Sequence, residues 1–393
     1  MQINEKKYTF ASMKMFRYIT ALLVVICLAV GCAASGDSKT HNFDRVDYQP
    51  RYAVGFYIAE DEAGNRQLCV TRPWQGDALV EQRLAIFQSR EEAEGYAGEY
   101  IIGGAKRVVC MSTSYIAMLD MVGKAENIVG VSGKQYVMTE GVASNPNVKD
   151  VGYDSNLDYE VLISLNPDLV LMYGVTAENG AVTAKLRELG IPYIYLGDYT
   201  EQSPLGKAEW LVAVADIMGV RAYGEEMFAE IEKRYNAVRD GISSENRPKV
   251  MFNTPYQDVW YMPSDDSYMV RLVEDAGGEY IYKGKNPVGG SRGVSLEEAL
   301  RLVSESDVWL NVGQCKSLEE LSAAAPHFME CEVVKRGEVY NNNNRRSPMG
   351  GSDFWESAIV RPDVVLEDLA KIMRGEAEGL YYHHRLKSLS DAR

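Results

Sequence analysis

Residues 159–174 read YEVLISLNPDLVLMYG, and the fold follows from this stretch. A helical pattern runs into Asn166-Pro167-Asp168, then into an apolar run that stops at Tyr173-Gly174. Such a pattern predicts a helix feeding a strand buried on both faces, because a half-exposed strand would alternate polar and apolar residues. A second version stands at residues 297–313, EEALRLVSESDVWLNVG, again with an acid in the helix, an Asp, a mainly apolar run and a Gly. Working outward, RVVCM (107–111), NIVGV (127–131) and IPYIYLGDY (191–199) alternate with helical patterns around the first copy. KVMFN (249–253), EYIY (279–282) and EVYNN (338–342) do the same around the second, and a helix opened by Pro362 follows. The expected class is α/β, with two Rossmann-like lobes built on parallel-rich sheets.

Between the lobes, Met227, Phe228, Ile231, Tyr235 and Val238 recur at steps of three and four. This predicts a single long helix over 221–242, roughly 30 Å in length. Ligands of open α/β sheets bind beyond the carboxyl ends of the strands. Two lobes facing one another across such a helix would therefore contribute two halves of one site. The expected division is a first lobe over 51–220, the helix over 221–242 and a second lobe over 243–393. In front, residues 56–74 and 81–87 predict a β-hairpin extension turning at Glu62–Asn65, with a third strand after it.

The beginning of the chain has its own logic. Lys14 and Arg17 precede ITALLVVICLAVG (19–31), too short for a confident membrane span but suited to a signal-peptide core. Small residues then lead to Cys32, which resembles the lipobox of a bacterial lipoprotein. That resemblance implies cleavage of residues 1–31, a lipid on the Cys32 sulfur and a tether over 32–50. Loss of residues 1–31 removes four basic residues and one acid, making the net charge of −15 more negative by three. So acidic a chain is repelled by nucleic acid, which is excluded as a partner. Cys315 and Cys331 either pair or remain buried free thiols.

The chemistry-bearing residues point to binding. The four histidines are His41, His327, His383 and His384, too scattered to assemble a site for a bare transition ion. No resident metal or cofactor is expected. The strand-end loops instead carry hydroxyl, aromatic and guanidinium groups: Ser112, Thr113, Ser114, Tyr136, Tyr173 and Tyr199 in the first lobe. In the second they are Tyr256, Trp260, Tyr261, Arg292, Gln314, Arg345, Asp353, Phe354 and Trp355. Aromatic walls with a few polar groups suit a large planar or amphiphilic ligand. Each residue also has an ordinary alternative, as core packing, helix cap or solvated charge. No GxSxG elbow, phosphate-cradling GK[ST] loop or HExxH is present.

Residues 106–133, 150–174, 293–300 and 352–369 resemble the substrate-binding lipoproteins of ABC importers for iron complexes and cobalamin. The resemblance implies a monomeric binding protein rather than an enzyme, facing the periplasm. It would hold a ferric siderophore, haem or cobalamin between its lobes and pass it to a membrane permease. It also implies that Glu160 and Glu297, one on each lobe, pair with permease arginines, with Glu298 the rival at the second position. Other classes are an envelope tetrapyrrole chelatase, short of a proton acceptor and metal ligand, and a sensor or scaffold lipoprotein without a permease.

Overall fold

The computed structural model describes residues 41–76, 80–243, 245–287 and 289–389. The signal segment, Cys32 and residues 33–40 of the expected tether lie outside them. The opening stretch folds as its pattern implies. Asp158 caps the helix Tyr159–Leu165 through Val161 N–H, and Asn166 ends it in the left-handed conformation. The strand Leu169–Met172 follows, buried at every position.

This strand lies in a five-stranded, all-parallel sheet. The order across it is Tyr193–Tyr195, Leu169–Met172, Val108–Cys110, Ile128–Val131, Lys149–Asp150. The second sheet runs Glu279–Tyr280, Lys249–Phe252, Val308–Leu310, Val339–Asn341, His384–Arg385, with only the last strand antiparallel. The two copies found in the sequence hold matching places. Asp168 Oδ2 accepts from the N–H groups of Lys106 and Arg107, both at 2.9 Å, and Asp307 Oδ2 accepts from Lys249 N–H at 2.9 Å. Each Asp thereby ties its strand to the neighbouring one.

The connection between the lobes is the helix Arg221–Asp240, which buries Phe228, Ile231 and Tyr235. It packs along a second helix, Pro204–Ile217, that the sequence pattern did not announce. Gly224 permits the close approach: a Cβ there would stand 2.3 Å from that of Ala215.

The N-terminal extension is larger than a hairpin. The strands Phe56–Glu60 and Arg66–Val70 pair antiparallel about the expected turn, and Gln82–Phe87 is the expected third. Arg45–Tyr48 and Glu99–Ile102 complete a five-stranded sheet. This sheet is fixed to the helix Pro204–Ile217 by buried carboxylates. Glu209, fully buried, accepts from the backbone N–H of Arg51, Tyr52 and Ala53 and from the Tyr48 hydroxyl at 2.7–2.9 Å. Asp216, also fully buried, pairs with Arg66 at 2.6 Å. Phe56 meets Trp210 with ring centroids 4.8 Å apart. Cys69, Cys110, Cys315 and Cys331 are buried and unpaired.

Candidate ligand-binding site

In the first sheet the order in which strands are added reverses between Val108–Cys110 and Leu169–Met172, the place where loops after neighbouring strands go opposite ways and a crevice is expected. The loop after the first strand presents Ser112, Thr113 and Ser114 at the start of the helix Thr113–Met121, and the loop after the second presents Tyr173. Beyond the edge strand, a 3₁₀ turn over Asp198–Thr200 adds Asp198 and Tyr199. These residues form one wall of a cavity of about 440 Å³. The second lobe supplies the opposite wall: Tyr268 and Leu272 from the helix Tyr268–Asp275, then Phe354, Trp355, Ile359 and Val365. Pro204 and Lys207 close one end.

Seven residues expected from the sequence therefore come together: Ser112, Thr113, Ser114, Tyr173, Tyr199, Phe354 and Trp355. Tyr173 and Tyr199 pack edge to face at 5.1 Å, and Phe354 and Trp355 do so at 5.0 Å. Trp355 is 59% exposed and Tyr173 36% exposed.

The other expected contacts are not at this cavity. Trp260 is fully buried in the second lobe, 5.7 Å from Trp309 and 5.0 Å from Phe328, with its indole N–H bonded to Phe252 O. Its place on a strand made it core rather than wall. Tyr256 and Tyr261 are exposed away from the cavity, and Arg292 donates to Lys285 O. Gln314 accepts from Arg346, and Arg345 is consumed by Asp353 at 2.6 Å. Tyr136 lies where the lobes touch: a Cβ on Gly351 would come within 2.0 Å of its carbonyl oxygen. Beside it, Glu356 reaches across to accept from Met138 N–H, Thr139 N–H and the Thr139 hydroxyl at 2.6–2.8 Å. Burial pushes the Glu356 carboxyl up, opposed by these donors.

Asp198, Lys207 and Tyr268 were not foreseen. Asp198 is 3% exposed, and its Oδ1 has no hydrogen-bond partner. Burial raises its pKa, against the Lys207 charge and the Ser114 and Tyr115 hydroxyls. Lys207 donates to Asp198 O at 3.1 Å and sits 4.7 Å above the Tyr268 ring. Burial lowers its pKa, against Asp198 and Glu201. Burial likewise pushes the Tyr199 hydroxyl up to about 12. A signal was available: Asp198 follows the strand Tyr193–Tyr195, and Lys207 is a lone cation in an apolar helix.

Among the described residues no group of three or more His, Cys, Asp or Glu is placed to hold a metal ion, and no helix is long and apolar enough to cross a membrane. Glu160 and Glu297 both occupy the second position of their helices, after the caps Asp158 and Ser295. Both are exposed, and neither takes part in an ion pair among the described residues. Glu298 lies 4.0 Å from Lys285.

A profile of the periplasmic binding protein family matches residues 108–346. An uncharacterized lipoprotein of Methanocaldococcus jannaschii is 26% identical over 93% of this chain and 94% of its own length. A cobalamin-binding protein of Halobacterium salinarum is 28% identical over 61% of this chain and 62% of its own. Among solved structures, a possible iron-binding, periplasmic solute-binding protein of Staphylococcus epidermidis superposes with a TM-score of 0.54 at 18% identity. It covers 68% of this chain and 98% of that one. Nearly all of that fold thus lies within two thirds of this chain. The family and its structural neighbours are solute-binding proteins, not enzymes, and this chain belongs to the periplasmic binding protein family.

Proposed function

We propose that the protein is the substrate-capturing component of an ABC importer. It would take a metal chelate (a ferric siderophore, haem or cobalamin) between its lobes while anchored to the envelope membrane through Cys32. The observation that carries this reading is the cavity itself. Its aromatic walls come from both lobes, and among the described residues no cluster of transition-metal donors is present, which favours a metal wrapped in its own organic ligand. The cobalamin-binding and iron-binding names of related proteins point the same way.

Glu160 and Glu297 would dock the permease. Each starts a helix that leads into its lobe's sheet, so the two acids mark equivalent points on the two lobes. An acid free of internal partners at each point lets a basic surface recognise the lobe spacing. The Glu160→Ala, Glu297→Ala double variant should bind chelate like the parent protein and fail to support uptake in cells. Undiminished uptake by that variant would remove the docking role.

A further inference from the structure

The cavity has one corner where buried charged groups stand, in a lining that is otherwise aromatic and apolar apart from the Ser112, Thr113 and Ser114 turn. Lys207 spends one N–H on Asp198 O and faces the Tyr268 ring, and no carboxylate forms an ion pair with it among the described residues. The nearby carboxylate of Glu201 is already engaged, by the N–H groups of Val54 and Gly55 and the indole of Trp210. Asp198 holds a carboxyl oxygen, Oδ1, with no hydrogen-bond partner; the residue is 3% exposed and stands beside that cation. Buried polar groups are nearly always hydrogen-bonded, and leaving a charged one unmet costs more than any single bond returns. A cation with N–H groups beyond its one bond to Asp198 O, and an unmet carboxyl oxygen, both at the wall of one cavity, are suited to a single incoming group.

Resting on the chelate-carrier reading, we infer that the Asp198–Lys207 corner reads a ligand edge that accepts and donates side by side, as a carboxamide does, and disfavours an edge that only accepts, as a carboxylate does. The carboxamide oxygen takes the Lys207 N–H and its NH₂ group meets Asp198. A carboxylate satisfies Lys207 but sets its own charge against that of Asp198. The aromatic part of the wall does not make this distinction, because its rings accept the body of any planar chelate. Edge chemistry also matters because a cavity of about 440 Å³ lies toward the small end for ligand pockets, so a large chelate enters by its rim.

Titration calorimetry on the full chain tests the rule with three probes. Cyanocobalamin carries primary carboxamide edges; hemin carries carboxylates; a ferric hydroxamate siderophore, its oxygens bound to iron and its hydroxamate nitrogens without hydrogen, carries neither. Asp198→Ala and Lys207→Met should each weaken cyanocobalamin binding by about tenfold or more, the scale of a hydrogen bond to a charged group. Asp198→Asn, which keeps an accepting oxygen, should recover most of the loss. Hemin affinity should fall with Lys207→Met and hold or rise with Asp198→Ala. Equal affinity of the parent protein and Asp198→Ala for cyanocobalamin, or hemin weakened by Asp198→Ala, would overturn the inference alone. Failure of the parent protein to bind any of the three would overturn the carrier reading and the inference with it. Matched thermal melting curves separate lost recognition from lost folding.

Discussion

Replacing Glu356 by Ala should loosen the closed arrangement of the lobes. Its carboxylate is 1% exposed and accepts three hydrogen bonds from Met138 and Thr139 in the other lobe. Bonds to a charged acceptor contribute about 1.5–3 kcal/mol each. They are not additive here, and desolvating the carboxylate offsets part of the gain. A net preference of about 2–4 kcal/mol for the closed arrangement is a reasonable figure for the set. At its lower bound, removal raises local opening by roughly 30-fold. Amide hydrogen exchange reads this directly, since the two N–H groups are the donors: exchange at Met138 and Thr139 should accelerate by about that factor. Glu356→Gln, which keeps one carbonyl oxygen, should fall between. Unchanged exchange at both amides in Glu356→Ala would refute the reasoning, because the bonds would then be contributing nothing to closure. In the parent protein, X-ray scattering should show only slight compaction on chelate binding, since a continuous helix between lobes resists bending.

Glu209→Ala strands the N–H groups of Arg51, Tyr52 and Ala53 in the interior. It should cost about 3 kcal/mol or more, read as a lowered urea midpoint, and an unchanged midpoint would show that the N-terminal sheet is not anchored there. Asp368 is buried, which raises its pKa, yet bonds from His383 and the backbone of Tyr381 and His383 pull it below its ordinary value. Its stabilising share is therefore complete above about pH 4, the unfolded carboxyl range, and disappears as pH falls through the lower folded value. Asp368→Asn should be less stable at neutral pH and flatten that acid limb; an acid limb of unchanged slope would count against the assignment.

The sheets were legible because strands buried on both faces leave apolar runs that no helix pattern interrupts. Residues 159–174 and 297–313 announced matching positions in two lobes, and the aligned Asp168 and Asp307 carry that match into hydrogen bonds. The helix Pro204–Ile217 was illegible for the opposite reason. Buried on nearly every side, it has no polar face, so periodicity has nothing to detect. Two of its charged residues, Glu209 and Asp216, are internal anchors for the extension. At the cavity, the loops immediately after first-lobe strands are those to which the strand-end rule points. The second lobe contributes helices rather than strand ends to this cavity, so Tyr268 lines it while Tyr256, Tyr261 and Gln314 do not. Trp260 and Trp355 differ in no way that composition shows; one is on a strand and the other opens a helix beside the mouth.

The most direct test is a binding isotherm for cyanocobalamin, hemin and a ferric hydroxamate, comparing the parent protein with a Tyr199→Ala, Trp355→Ala double variant. These side chains line the cavity from opposite lobes. The account predicts one equivalent of one chelate bound by the parent protein and at least a hundredfold loss in the variant, about 3 kcal/mol for two aromatic contacts. Equal affinity in the two proteins would place the ligand elsewhere and contradict it.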